Sequence, residues 1–314
     1  MLLKSSYQKS PHQTVLYHET IHYLKPFSPG KYIDATLGAG GHAIGILEAS
    51  NPQGMLLGLD VDAQALSIAE KRLSAYKNRI LLQKSSFADL TRQVKKTGWH
   101  SFNGIVFDLG LSSMQVDNPD RGFSFLRDGP LDMRFDKTQE IKAADLINKL
   151  KEDELTKIIR TYGEEPKAHK IAKAICEARP LQSTRQLADL IEKVSIRHGG
   201  QLHPATRTFQ AIRIAVNNEL QSLRSGLLQA INLIETGGRI VVISFHSLED
   251  RIVKQLFVEE SKNCICPPEQ PICTCNHKAQ LKIITKPPVI PSQEEVSHNF
   301  RARSAKLRAA EKIA

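Results

Sequence analysis

The sequence predicts an α/β protein in which a doubly wound, Rossmann-like sheet is interrupted by an all-helical insertion. Three observations carry this reading. Between Lys31 and Asp108, short apolar runs ending in or followed by polar turns alternate with amphipathic helical stretches. The strongest β pattern, Arg239-Ile-Val-Val-Ile-Ser-Phe245, returns only after a long gap. That gap, from about Thr138 to Leu220, carries helical periodicity and no strand pattern.

The elements follow in order. Lys31-Tyr-Ile-Asp-Ala-Thr36 reads as a buried strand before a glycine cluster. His42 to Ser50 reads as a helix closed by Asn51-Pro52. Met55-Leu-Leu-Gly-Leu-Asp60 is a second strand ending in an acid. From Ala63 to Ala75 the apolar residues Leu66, Ala69 and Leu73 fall three and four apart, the spacing of one helix face. Gly104-Ile-Val-Phe-Asp108 repeats the strand-plus-acid form. Apolar strands joined by amphipathic helices imply a parallel sheet covered on both faces. In the insertion, Ala144, Leu146, Ile147 and Leu150 form one helical face. Leu155, Ile158 and Ile159 form another, and Leu187, Leu190, Ile191 and Val194 a third. After the strand at Arg239, a helix near Leu248–Glu260 completes the sheet domain, and Lys282–Lys286 and Ser304–Arg308 read as late strands. The expected boundaries are therefore 1–137 with 219–314 for the sheet domain and 138–218 for the insertion.

Length and composition fit this architecture. A chain of 314 residues suggests two domains and a core that needs no staples. At 41% hydrophobic and 24% charged residues, it is neither disordered nor fibrous. No apolar run is long enough to span a membrane. Met1 to Pro11 is polar and lacks the apolar core of a signal peptide, and five cysteines are an odd number, so a reducing cytoplasm is expected. Cys176, alone in a helical stretch, reads as an apolar packing residue. The net charge is +10, of which +5 falls between Asn276 and Ala314, so a polyanionic partner is expected.

The candidate chemistry lies at strand ends. Asp34-Ala-Thr-Leu-Gly38-Ala-Gly40-Gly41-His42 places glycines where the backbone must turn tightly and approach a ligand at a helix N-terminus. Asp60 follows Gly40 by 20 residues, where an acid can accept from ribose hydroxyls. Together these point to an adenosine-containing cofactor, without separating NAD from S-adenosylmethionine, since Gly38-x-Gly40-x-x-Ala43 also fits the dinucleotide pattern. Asp108-Leu-Gly-Leu-Ser-Ser113-Met-Gln115 follows the third strand named and should open on the same crevice. A carboxylate there could read an adenine amine or accept from a substrate amine; helix capping by Asp108 or Ser112 is the alternative. In the Gly/Pro-rich stretch 121–136, Arg121, Arg127 and Arg134 interleave with Phe123, Phe125 and Phe135, as single-stranded RNA recognition requires, although the rings could equally anchor the loop. His246, in Ser244-Phe-His-Ser, could be a base, a stacking ring or an orienting donor. Cys264, Cys266, Cys273 and Cys275 could hold one structural zinc or be reduced surface thiols, and nothing suggests a catalytic metal.

Over nearly its whole length the chain resembles the ribosomal RNA small-subunit methyltransferase H family, also called MraW. The matching motifs are His12-x-Thr-Val-Leu-x-x-x-Glu19, the Gly38–His42 loop, Asp108-Leu-Gly-Leu-Ser-Ser-x-Gln115, Arg121-Gly-Phe-Ser-Phe and Gly129-Pro-Leu-Asp-Met-Arg134. Others are Tyr162-Gly-Glu-Glu165, His203-Pro-Ala-Thr-Arg-Thr-Phe-Gln210, Val216-Asn-x-Glu-Leu220, Ser244–Arg251 and Arg303–Arg308. Departures are small: Leu111 and Val116 stand where the family often has Val and Leu, and Phe300 replaces a Pro. The resemblance implies a class I methyltransferase sheet with a helical insertion, using S-adenosylmethionine to methylate N4 of a cytosine in the decoding region of 16S rRNA. It implies that Gly40, Gly41, His42, Asp60, Phe87, Asp108 and Gln115 contact the cofactor.

On this reading Asp108 accepts the substrate amine's hydrogens, with His246 a second candidate catalytic group. Arg121, Phe123, Phe125, Arg127, Arg134, Arg301, Arg303 and Arg308 are expected to grip RNA of the small ribosomal subunit. An NAD-dependent dehydrogenase and a non-catalytic rRNA-binding assembly factor are the rival readings that the residues leave open.

Overall fold

The computed structural model describes residues 14–195, 203–270 and 272–314. Met1–Pro11 and His12 of the first motif lie outside the described residues. The first part of the chain forms α1 (Tyr17–Leu24), β1 (Lys31–Asp34), α2 (Gly41–Ala49), β2 (Met55–Asp60), α3 (Ala63–Arg72), β3 (Ile80–Lys84), α4 (Leu90–Thr97) and β4 (Phe102–Asp108). The middle forms α5 (Ser113–Asp117), α6 (Ala143–Lys149), α7 (Glu152–Gly163), α8 (Ala168–Glu177), α9 (Thr184–Val194) and α10 (Ala205–Asn217). The chain continues through α11 (Glu219–Leu233), β5 (Ile234–Ser244), α12 (Ser247–Glu259), β6 (Leu281–Ile283), α13 (Gln293–His298) and β7 (Lys306–Lys312).

The strands make one sheet in the order β3-β2-β1-β4-β5-β7-β6. Neighbours are parallel from β3 to β5, whereas β7 runs antiparallel to both β5 and β6. Side chains alternate between faces along each strand, and both faces are buried. Ile105, Phe107, Ile240 and Val242 enter the core on one face with Leu227 of α11 and Phe257 of α12. Val106, Val241 and Ile243 enter the core on the other, with Ile46 of α2 and Leu73. This two-sided burial explains why the central strands read as continuous apolar runs. Each such side chain contributes about 1.5–3 kcal/mol on removal from water.

The chain divides into two compact units. One contains the described residues up to Gly110 together with Leu223–Ala314, and the other is Leu111–Ser222. The second unit therefore begins well before the expected Thr138. Its core joins Phe123, Leu131 and Met133 of the Gly/Pro-rich loop to Ile147 of α6, Leu155 of α7 and Leu187 of α9. A loop with no helical period reads from sequence as part of the sheet domain, but its apolar residues are buried among helices.

Three elements depart from the sequence reading. β3 goes unread as a strand: its apolar run is only Ile80-Leu81-Leu82, closed by Gln83 and Lys84, and none of its residues is fully buried. α4 is equally silent, being short and rich in lysine and threonine. The expected strand at Ser304 starts later, because Phe300–Ser304 forms a turn of 3₁₀ helix before β7.

Candidate active site

The site is built where β1, β2 and β4 end. Register pairs Asp34 with Gly58 of β2 and with Val106 of β4, so Asp60 and Asp108 project just past it on the two flanking strands. The turns between them are pinned together. Gly38 N–H donates to Asp60 Oδ2 at 2.8 Å, and Asp62 N–H donates to Asp60 Oδ1 at 2.8 Å. Asp108 N–H donates to Thr36 Oγ1 at 2.6 Å. Arg72 of α3 donates to the Ala39 carbonyl at 2.8 Å, bracing the glycine turn from outside.

Glycine is required here for two different reasons. Gly40 has φ +80°, in the left-handed region that disfavours side chains, and forms the cap of α2. Gly41 has ordinary backbone angles, but a Cβ there would fall 2.1 Å from Thr14 Oγ1. The next residue, His42, is only 4% exposed, and its Nε2 lies 3.4 Å from Asp108 Oδ2.

The electrostatics are unusual for a strand edge. Burial pushes the Asp34 carboxyl up to about 7; His42 and the Thr36 N–H oppose the shift, while Asp108 and Asp60 add to it. Burial also raises Asp60, against the hydrogen bonds from Asp62 and Gly38 that favour its charged form. Asp34 and Asp108 flank His42, and Asp60 closes the neighbouring strand, so acidic groups crowd one edge of the sheet. Both ring nitrogens of His42 and Oδ1 of Asp108 are buried without a hydrogen-bond partner. Each such group costs about 1–3 kcal/mol until something pairs with it. A polar ligand carrying both donors and acceptors fits these orphaned atoms.

Most of the predicted cofactor positions in the sheet unit thus converge. Phe87 opens the turn after β3; its ring meets Phe107 edge-on at 5.6 Å between centroids and packs so tightly on α11 that a Cβ at Gly226 would come within 2.8 Å. Sequence reasoning assigns no role to Asp34 or Thr36. The available signal is that Asp34, like Asp60 and Asp108, is an acid closing an apolar strand. In the helical unit, Gln115 is buried and completes a capping box on α5, its Oε1 accepting from Ser112 N–H at 3.2 Å.

Several expected RNA contacts turn inward instead. Arg121 is 3% exposed and donates to the carbonyls of Arg134 and Phe135 at 3.0 and 2.9 Å. Phe123 is buried in the helical core. Arg134 forms a two-pronged pair with Asp132, at 2.8 Å for each hydrogen bond. Arg308 pairs with Asp250, Nε to Oδ1 at 2.6 Å and Nη2 to Oδ2 at 3.1 Å. Arg121 thus satisfies backbone carbonyls, Arg134 and Arg308 pair with carboxylates, and Phe123 packs in the core. Phe125 is half-buried, stacked on His203 at 4.6 Å and edge-on to Phe209. Arg127, Arg301 and Arg303 remain exposed, with Arg303 lying over the Phe300 ring at 4.4 Å. His246 caps α12, its Nδ1 accepting from Glu249 N–H at 3.4 Å, while its buried Nε2 lies 3.2 Å from Glu249 Oε1 without a hydrogen bond.

Dinucleotide-binding sheets run parallel in the order 3-2-1-4-5-6. Here an antiparallel β7 lies between β5 and β6. Residues 9–313 match the MraW methylase family, and this overturns the dehydrogenase reading. A ribosomal RNA small subunit methyltransferase H from Dehalococcoides mccartyi is 50% identical over 303 residues, covering 96% of this chain and 87% of that one. Proteins of the same name from Thermomicrobium roseum and Lawsonia intracellularis are 49% and 48% identical, each covering 96% of this chain and, respectively, 94% and 99% of the relative. The chain belongs to the MraW methylase family, and S-adenosylmethionine is its cofactor.

Proposed function

We propose that this methyltransferase modifies small-subunit ribosomal RNA, at N4 of a cytosine in the decoding region of 16S rRNA. The observation that carries the RNA substrate is the near full-length similarity to proteins named ribosomal RNA small subunit methyltransferase H. The choice of an amine rests on Asp108, whose buried Oδ1 has no partner within the protein.

Gly40, Gly41 and His42 would line the cofactor at the start of α2, Asp60 would take the ribose hydroxyls, and Phe87 would flank the base. When bound, S-adenosylmethionine supplies a methyl group on a sulfonium, already activated toward a nucleophile. The chain's own task is to make a poor nucleophile attack it. The lone pair of a cytosine amine is delocalised into the ring. Asp108 accepts a hydrogen bond from that amine, which lets the nitrogen pyramidalise and carry developing positive charge. Thr36, accepting from Asp108 N–H, holds that residue at the strand end, with His42 Nε2 3.4 Å from its carboxylate. The backbone carbonyls of Leu109 and Gly110, just beyond β4, offer further acceptors. Rigid strand ends would limit the motion of both reactants, as an in-line transfer requires. The methylated amine is acidic enough to lose its proton without a dedicated strong base. The cytosine must be unpaired or extruded to reach the cleft.

Arg301, Arg303, Arg127 and the half-buried Phe125 are the remaining candidates for gripping RNA, with salt-sensitive affinity. With the small subunit as partner, the protein works in the cytoplasm; among the described residues no helix is long and apolar enough to cross a membrane. The test is to incubate unmodified small subunits with isotope-labelled S-adenosylmethionine and identify the labelled nucleoside by mass spectrometry. Label in N4-methylcytidine supports the reading. Label on another base or position refutes the atom, and no label under conditions where the cofactor binds supports a non-catalytic assembly factor.

A further inference from the structure

We propose that Cys264, Cys266, Cys273 and Cys275 form a structural zinc site that braces the segment between α12 and β6.

The segment itself poses the problem. From Ser261 to Gln280 no described residue lies in a helix or strand, and none is buried. Ile265 and Ile272 are 42% and 74% exposed, so the apolar residues present do not build a core. A stretch of this length with neither hydrogen-bonded elements nor a hydrophobic centre needs another source of order. At its middle stand the four thiols.

Their geometry is that of a shared ion. All four sulfurs lie within 4.8 Å of one another. Cys273 Sγ and Cys275 Sγ are 3.6 Å apart, and Cys275 Sγ and Cys264 Sγ are 3.8 Å apart. A tetrahedron with zinc–sulfur bonds of about 2.3 Å has sulfur–sulfur edges of about 3.8 Å. A disulfide would need about 2.05 Å, and none of the cysteines is bonded in that way. The tight Cys-x-Cys spacing is no obstacle, because residues two apart on extended backbone point to the same side. One sulfur from each pair also accepts a backbone N–H from the opposite strand of the loop. Ile265 N–H donates to Cys275 Sγ at 3.4 Å, and Thr274 N–H donates to Cys266 Sγ at 3.5 Å. Such reciprocal donors orient and stabilise thiolates around a cation.

The ligand set selects the metal. Four thiolates are soft donors that suit zinc, copper(I) or iron–sulfur chemistry. A cluster would hold the cysteine sulfurs farther apart than a single ion does. Four protein ligands leave no open position, so the site is structural. Binding releases the four thiol protons, and affinity therefore rises with pH.

The experiment measures metal on the full-length protein, reduced, incubated with zinc and desalted. One equivalent of zinc per chain is expected. Replacing all four cysteines with serine should abolish it, while Cys176→Ser on α8 keeps it as control. Cobalt in place of zinc should give the intense visible bands of tetrahedral cobalt thiolate in the wild type and not in the quadruple variant. Limited proteolysis should cut between residues 261 and 280 faster when zinc is chelated. Circular dichroism and S-adenosylmethionine binding establish that the variant folds. Should the variant fail to fold, the cobalt spectrum of the wild type decides alone. The proposal is overturned by wild-type protein that takes up no zinc when reduced, by iron in its place, by zinc retained after all four substitutions, or by a cobalt spectrum without thiolate character.

Discussion

Nε2 of His42 lies 3.4 Å from Oδ2 of Asp108, yet the buried imidazole makes no hydrogen bond with either nitrogen. The two side chains come from different elements, the start of α2 and the end of β4. They are held against each other by the scaffold, with the Asp108 backbone tied to Thr36. An acceptor that is fixed in place but not saturated by the protein is what transfer to a weak amine requires.

Asp108→Asn preserves the shape of that acceptor and removes its charge. Methyl transfer to small subunits should fall by about 10²- to 10³-fold, the usual range for one lost hydrogen-bonding group that stabilises developing charge. S-adenosylmethionine affinity, read by calorimetry, should fall by much less, and the melting temperature should stay close to the wild type. Near-normal turnover in the variant would remove Asp108 from the chemistry.

Asp34 makes stability depend on pH. Its carboxyl holds a proton to about 7 in the folded chain, against 3.8 for an ordinary aspartate. Between those values the native state binds more protons than the unfolded one, so stability declines as pH rises through that window. Asp34→Asn should flatten this decline by up to a few kcal/mol, on the order of 1.4 per unit of pKa difference. Urea unfolding of both proteins at the two ends of the window is the measurement. An unchanged slope would mean that Asp34 ionises normally.

Arg308 and the pair Arg301/Arg303 should separate cleanly. Burial pushes the Asp250 carboxyl up, but Arg308 and Lys306 outweigh it and hold it below the usual range. The Arg308 and Asp250 side chains are 13% and 12% exposed, and removing one partner strands the other. Arg308→Ala should cost roughly 2–4 kcal/mol of stability. Arg301→Ala with Arg303→Ala should leave the melting temperature nearly unchanged and weaken RNA binding. The slope of log affinity against log salt should fall by about one for each phosphate the protein no longer neutralises. Equal salt slopes for wild type and double variant would exclude both arginines from the RNA interface.

Gly122 tests whether the 121–136 loop is part of the helical core. Its φ is +68°, and a Cβ would land 2.0 Å from the Pro130 carbonyl oxygen. Backbone cannot move aside as a flexible side chain can. Gly122→Ala should destabilise the protein by roughly 2–4 kcal/mol, through strain and steric overlap together. A loop serving only to touch RNA would tolerate the change, with the melting temperature unaltered.

Sequence and structure agree where one signal dominates. β4 and the middle of β5 are legible because burial on both faces leaves little but Ile, Val and Phe. That the glycine turn, Asp60 and Asp108 lie at neighbouring strand ends is legible because each directly follows or closes an apolar strand run. β3 is not, since an edge strand keeps polar residues on its open side. Arg121, Arg134 and Arg308 mislead for a deeper reason. An arginine bound to carbonyls or a carboxylate has the same letter as one bound to phosphate, and nothing nearby in sequence names its partner. Asp250 lies 58 residues from Arg308. The start of the helical unit is hidden likewise, because Phe123 and Met133 obey no period and owe their burial to helices made later in the chain.

The placement of β7 governs when this protein can become whole. Synthesis proceeds from the N-terminus, and β7 is made after both β5 and β6, yet it lies between them. Until residues 306–312 emerge, β5 presents a bare edge of unpaired amides and carbonyls, and β6 has no neighbour to join. A ribosome that stalls or terminates early, even within the final dozen codons of this sequence, leaves a sticky, half-knit sheet suited to aggregation. Quality control of the nascent chain therefore has a clear physical signal to read.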